Sequence, residues 1–115
     1  SWAQGIWKES GNGPVEVLAG WHFIPGTSVY MNMGNGYPTV SVDSGRVAAL
    51  VVGWDGRYRI LSDIKGPLAV IMSTGSWLDG KQVSWLHMGN HAVAAGRIAF
   101  AAGFTDGSWG FFLGK

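Results

Sequence analysis

The chain has no cysteine, few charges and no long apolar run, and each absence excludes a class of protein. Without cysteine there is no disulfide framework, and such a chain fits an extracellular location, where free thiols are a liability, as well as a cytosolic one. No window of about 18 apolar residues occurs, so we predict no membrane span. Eight basic and seven acidic residues give a net charge of +1. Only Arg57 and Arg59 lie close together, whereas a phosphate backbone requires a basic stripe, so nucleic acid is excluded as a partner.

Catalytic and metal-binding patterns are also missing. No Gly-x-Ser-x-Gly motif of a serine nucleophile occurs. Four of the seven acidic residues adjoin glycine or Ser-Gly, as turn formers do, instead of forming the carboxylate pair of a glycosidase: Asp43, Asp55, Asp79 and Asp106. His87 and His91 are separated by Met88-Gly89-Asn90, which favours a loop, and no cysteine or nearby carboxylate completes a ligand set. The sequence therefore predicts no enzyme, no metal and no cofactor.

Glycine is abundant, and its spacing indicates an all-β protein. The 19 glycines punctuate short runs rich in Val, Ile, Phe, Tyr, Trp and Thr. Nine strands are predicted: Ile6–Lys8, Val15–Ala19, Thr39–Val42, Val47–Val52, Tyr58–Leu61, Leu68–Met72, Ala92–Ala94, Ile98–Ala102 and Phe111–Leu113.

The apolar pattern distinguishes inner strands from edge strands. Val47–Val52 and Ile98–Ala102 are apolar at every position, which predicts inner strands buried on both faces. Gly45 and Gly96 precede them, at turns where we predict a positive φ. Residues 15–17 and 58–60 alternate apolar with charged, which predicts strands nearer an edge.

Several motifs occur twice. Gly13-Pro14 returns as Gly66-Pro67, Met33-Gly34-Asn35 as Met88-Gly89-Asn90, Gly45-Arg46-Val47-Ala48 as Gly96-Arg97-Ile98-Ala99, and Asp55-Gly56 as Asp106-Gly107. The spacing is that of a four-stranded unit such as a propeller blade. We predict one all-β domain of two β-propeller-like repeats, about 13–65 and 66–115, after an N-terminal strand in 1–12. Two blades cannot close a ring, so we also predict a homo-oligomer.

The repeated segments resemble a known family. GPVEVLAGWHFIPGT, MGNGYPTVSVDSGRVAALV and GRYRIL in the first copy, and MGNHAVAAGRIAFAAG and GSWGFFL in the second, are similar to the repeats of choice-of-anchor proteins, which are secreted bacterial surface proteins. The resemblance implies a β-propeller-like arrangement outside the cell and no assigned chemistry. The chain starts at Ser1 without an initiator Met or signal peptide, from which we expect a processed mature protein or a fragment.

The sequence is unusually rich in tryptophan, with seven in 115 residues. One interpretation makes them core or interface anchors. The second interpretation concerns the tryptophans of the long connections 21–36 and 76–90, which are predicted to be loops. These side chains would stack on the apolar face of a sugar, and neighbouring polar residues would bind its hydroxyls. The predicted ligand-binding residues are then Trp21, His22, Tyr30, Trp77, Asp79, Trp85, His87 and Asn90.

These patterns favour a non-catalytic, lectin-like module that binds glycans and is secreted or held at the cell surface. The alternative is a structural, self-assembling subunit of a ring, sheet or filament that takes no small ligand. An extracellular hydrolase is the third alternative.

Overall fold

The computed structural model describes residues 5–33 and 38–114, and in them the chain is all-β, as predicted. About 60% is strand and none is α-helix. The strands are β1 Gly5–Ser10, β2 Gly13–Ala19, β3 Thr39–Asp43, β4 Arg46–Val52, β5 Tyr58–Ser62, β6 Ala69–Ser73, β7 Trp77–Leu78, β8 Lys81–His87, β9 Val93–Ala94, β10 Arg97–Phe104 and β11 Trp109–Gly114. Trp2 and residues 34–36 of the first predicted loop lie outside the described residues.

The nine predicted strands coincide with β1–β6 and β9–β11, but the predicted loop over 76–90 is wrong, since it contains β7 and β8. In β8, Val83 and Leu86 are buried, whereas Trp85 between them is exposed. Trp85 lies opposite Gly103 and Val83 opposite Phe104, so Ser84 is the extra residue of a β-bulge. The bulge breaks the alternation by which the strand would have been predicted.

The strands form three antiparallel sheets. The first is β1-β2, the second β3-β4-β5-β6, and the third β11-β10-β8-β7 with β9 also on β10. The inner positions predicted for β4 and β10 are confirmed, but the predicted burial on both faces is wrong for β10, where Ala99 is exposed. The edge position predicted for Tyr58–Ile60 is wrong, because β5 lies between β4 and β6. Its charged residue, Arg59, is buried and donates to both carboxylate oxygens of Asp55, at 3.1 and 2.6 Å.

The second sheet is covered on both faces. Successive residues of a strand face opposite sides, and β4 and β5 place apolar residues on both. One core lies between the first and second sheets and includes Ile6, Leu18, Ala49, Val51 and Leu61. The other lies between the second and third sheets and includes Ala48, Ile60, Val83, Leu86, Ile98, Phe100 and Phe104. The second sheet therefore holds the other two together.

The repeat appears in the backbone hydrogen bonds. The turn after β4 closes with Gly53 N–H donating to Arg57 O and Gly56 N–H donating to Gly53 O, both at 2.9 Å. The turn after β10 has the same two bonds 51 residues later, at 2.8 and 3.0 Å. In each turn the aspartate accepts from the N–H two residues on. Asp55 and Asp106 therefore have the turn-forming role that their glycine neighbours predict.

Two-residue turns join β3 to β4 and β9 to β10. Ser44 and Gly45 have φ of 51° and 77°, and Ala95 and Gly96 have φ of 52° and 74°. Two successive positive φ angles define a type I′ turn, which matches the twist of a hairpin. The positive φ predicted for both glycines is confirmed.

We expect opposite effects from two substitutions in the second of these turns. Gly96→Ala should lower the free energy of unfolding by about 1 kcal/mol, because an L-residue is penalised in the left-handed region. Ala95→Asn should raise it by roughly 0.5 kcal/mol, because asparagine tolerates that region better than alanine. Gly11→Ala, at an open position without positive φ, is the control for urea denaturation. Equal effects of Gly96→Ala and Gly11→Ala would contradict the turn assignment.

The Asp55–Arg59 pair yields a second expectation. Asp55→Ala should lower the free energy of unfolding by about 2 kcal/mol, because it leaves a buried guanidinium without its counter-ion. Asp106→Ala is the matched control: it removes the same turn bond, but its partner Lys81 is 46% exposed. Exposed ion pairs contribute little, so the control should lose less. Similar losses in the two variants would show that the turn bond alone matters.

The same pair should make stability depend on pH. The hydrogen bond from Arg59 lowers the pKa of Asp55 from 3.8 to about 2. A carboxylate with a depressed pKa stabilises the fold above its unfolded pKa, and that contribution is lost as pH falls through the folded value. The wild-type protein should therefore lose more stability than Asp55→Asn as the pH falls from about 4 towards 2. Parallel profiles would contradict this.

Candidate functional site

All six tryptophans of the described residues are exposed, by 41 to 68%. They are Trp7, Trp21, Trp54, Trp77, Trp85 and Trp109. The interpretation of these tryptophans as core anchors is therefore wrong, because Ile, Leu, Val, Ala, Met and Phe fill both cores. Exposed indoles that lie close together mark a surface for a ligand or another chain.

The predicted site residues lie in separate places. Trp21 lies beside Trp7, with ring centroids 6.5 Å apart, and His22 Nδ1 is 2.8 Å from Glu16 Oε2. Tyr30 packs against Phe23 at 4.6 Å. Trp77 is on β7, and Asp79 has a φ of 57° in the turn to β8. The other three, Trp85, His87 and Asn90, lie on or just after β8.

Trp85 has no aromatic counterpart among the described residues of the first copy. Trp54 N–H donates to Tyr30 O at 3.1 Å, and in the second copy Thr105 N–H donates to Gln82 O at 3.0 Å. Gln82 therefore occupies the place of Tyr30. The connection that precedes Gln82 is shorter than the one that precedes Tyr30, because Asp79-Gly80 forms a two-residue turn. The spacing between the repeated sequence motifs therefore changes at this point.

Trp85 and Trp109 form an aromatic row across the third sheet. Both lie opposite Gly103, Trp85 from β8 and Trp109 from β11. Opposed residues in antiparallel strands share a face, so both indoles lie on the same side, 6.4 Å apart and tilted by 39°. A Cβ atom on Gly103 would overlap the Trp85 ring. The bare glycine is what allows the indole to lie over β10.

A second row follows on the same face. His87 and Phe111 both lie opposite Ala101. The Phe111 ring meets Trp109 edge to face at 5.4 Å, which continues the aromatic surface. We call the face that carries Trp85, Trp109, His87 and Phe111 the outward face of the third sheet.

A cleft of about 340 Å³ adjoins the aromatic row. Ala99 and Ala101 of β10 contribute to its lining together with Phe111. His87, Asn90 and His91 supply imidazole and amide groups that donate and accept hydrogen bonds. The volume lies within the usual range for small-ligand sites, which combine apolar walls with a few polar groups.

The charged groups of β8 and the last turn lie apart from this cleft. Lys81 Nζ bonds Ser108 Oγ at 2.9 Å and lies 3.2 Å from Asp106 Oδ2. Hydrogen bonds from Ser108 lower the pKa of Asp106 to about 2, so that carboxylate stays ionised. In the part of the chain that the structure describes, no three His, Asp or Glu side chains converge on a possible metal position. The groups on the outward face offer stacking and hydrogen bonding.

Sequence reasoning missed Trp109, Phe111, His91 and Gly103. The segment GSWGFFL predicts a strand and belongs to the resemblance to choice-of-anchor repeats, but not to the predicted site, although alternate residues of β11, Trp109, Phe111 and Leu113, are exposed. An available signal was the small residue Gly103 in an otherwise apolar run, since glycine within a strand often marks a close approach of another group.

Comparison with known proteins gave no match: no family model fits the chain, and neither a curated protein nor a solved structure is significantly similar to it. The resemblance to choice-of-anchor repeats stays a prediction. The described residues include no helix that is long and apolar enough to cross a membrane.

We expect Gly103→Ala to separate the two indoles, because the added methyl group takes the space under Trp85. The near-ultraviolet circular dichroism of the tryptophan pair should change. Gly110→Ala is the control, since a Cβ there meets Phe112 at 3.6 Å, an ordinary contact. An unchanged spectrum for Gly103→Ala would contradict the position of Trp85 over β10.

Proposed function

We propose that this protein is a non-catalytic binding module, secreted or held at the cell surface, that binds carbohydrate on the outward face of the third sheet. The observation that carries the proposal is the pair of exposed indoles, Trp85 and Trp109, aligned over the bare backbone of Gly103. The C–H face of a sugar ring is apolar and can pack on an indole. The two rings come from β8 and β11, on either side of β10, and give such a ligand an extended surface.

The cleft beside the row would bind the hydroxyls. A second sugar unit continuing from Trp109 would pass Phe111 and reach His87, Asn90 and His91. These side chains offer both donors and acceptors, as sugar hydroxyls require. The site is open to solvent, so its polar bonds compete with water and stacking should supply most of the affinity.

Trp109→Ala and Trp85→Ala should each weaken saccharide binding about tenfold, because an aromatic contact contributes up to about 1.5 kcal/mol. A glycan array identifies the saccharide, and titration of the intrinsic fluorescence measures its affinity. Since both rings are exposed, the free energy of unfolding should change by less than about 1 kcal/mol.

Trp54→Ala is the matched control, since Trp54 is an exposed tryptophan of the turn after β4. Equal losses in Trp54→Ala and Trp109→Ala, or no saccharide bound by the wild-type protein, would refute the proposal. Severe destabilisation by Trp109→Ala would make that residue a structural anchor instead.

Self-association is the second candidate function, and the exposure of Phe111 favours it. This side chain is apolar, belongs to a regular strand and is 79% exposed. A subunit that assembles with copies of itself would cover it.

A further inference from the structure

Strands β1, β5 and β11 occupy the same place in the repeat. In β1, Ile6 lies opposite Leu18 and Trp7 opposite Glu16, which makes Val17 a bulge. In β5, Ile60 lies opposite Met72 and Leu61 opposite Val70, which makes Ile71 a bulge. The two hairpins thus share one register. β11 corresponds to β5 because each follows an inner strand through the same Asp-Gly turn.

These three strands differ in what covers them. β1 pairs with β2, and β5 with β6, but no described strand pairs with the outer edge of β11. The equivalent apolar residues show the consequence: Ile6 and Ile60 are 4 and 0% exposed, whereas Phe111 is 79% exposed. The position shared by Ile6, Ile60 and Phe111 is thus buried where a further strand pairs with its own strand and another sheet stacks on its face.

A groove lies beside this free edge. In the core between the first and second sheets, Leu68 and Val70 of the β6 hairpin pack with Leu61. Phe112 is the counterpart of Leu61 in the core between the second and third sheets. It lines a groove of about 620 Å³ together with Ile64, Pro67, Ile71 and Leu78. The groove occupies the place that a strand next to β11 would fill.

We propose that β2 of a second copy of this chain pairs with the free edge of β11, in the register that β2 has with β1. β11 then takes the place of that copy's β1, which is displaced. This inference rests on the self-association candidate and assigns its strands. Phe111 would lie opposite Leu18, Phe112 opposite Glu16, and Leu113 opposite Val15, as Ile6, Trp7 and Lys8 do within one chain.

Charge complementarity supports this occupant. Glu16 corresponds to Val70, whose side chain packs towards the preceding sheet. On β11, Glu16 of the second copy would therefore face the groove, which Lys65 also lines. This pairing joins two different surfaces, β2 of one copy and β11 of another. Each copy therefore keeps one free surface for the next copy, and the assembly is a closed ring or a filament.

The paired copy would bury Phe111 and the cleft but leave part of the aromatic row exposed. Its second sheet would cover Phe111 as the second sheet covers Ile6 in this chain. Tyr58, the counterpart of Trp109, stays 44% exposed beneath the third sheet. Stacking of a saccharide on Trp85 and Trp109 is therefore compatible with the assembly, whereas binding of its hydroxyls in the cleft requires the unpaired chain.

The absence of cysteine allows a direct test by disulfide cross-linking. Leu113→Cys and Val15→Cys are made in separate chains, which are mixed under mild oxidation. We expect a covalent dimer of the two chains, and a ladder of higher species from the double variant. The control mixes Leu113→Cys with Val42→Cys, since Val42 is exposed on β3. Its yield should be at least tenfold lower.

Another mixture tests the opposite exchange. If β1 of the second copy instead replaced β11 on β10, Lys8 would lie opposite Ala99, the partner of Leu113. Cross-linking of Lys8→Cys with Ala99→Cys, without the first dimer, would overturn the proposal. Monomers by light scattering would refute self-association altogether, whereas oligomers without the cross-link between positions 113 and 15 would refute only the strand assignment. Saccharide titration decides the carbohydrate proposal independently.

Discussion

Burial of sheet against sheet is the constraint on which this structure depends. The two-stranded β1–β2 hairpin depends on it most, since isolated hairpins are marginal in water. The second sheet solves this by carrying apolar residues on both faces, so that Ala48 and Ile60 serve one core and Val51 and Leu61 the other. The third sheet repeats that two-faced pattern, but the residues that the structure describes cover only its inner face.

The outward face of the third sheet therefore carries both functional hypotheses. Its aromatic row depends on a backbone feature, Gly103, where a side chain would overlap the Trp85 ring. Its apolar strand residue Phe111 depends on the repeat, because the same position is a core residue in β1 and β5. The two features point to different occupants: a saccharide for the row, and another chain for the strand. Stacking on the row can coexist with the paired chain, whereas the cleft beside Phe111 is open only without it.

The Arg59–Asp55 pair shows how a charged residue fits an inner strand. A buried guanidinium is tolerated because a carboxylate in the adjoining turn accepts two hydrogen bonds from it. The equivalent Asp106 faces an exposed lysine instead. One turn motif thus serves two electrostatic environments, which the repeated Asp-Gly motif alone does not reveal.

The amino-acid sequence by itself determined the all-β class, nine of the strands and the hairpin turns at Gly45 and Gly96. These are local properties: alternation, apolar runs and positive φ require only neighbouring residues. It did not reveal β8, because the bulge at Ser84 breaks the alternation. It also did not separate Ile60 from Phe111, which have equivalent positions and similar hydrophobicity. Only the tertiary structure decided that one is buried and the other exposed, because exposure depends on which sheet stacks next, and that is set by contacts distant in the chain.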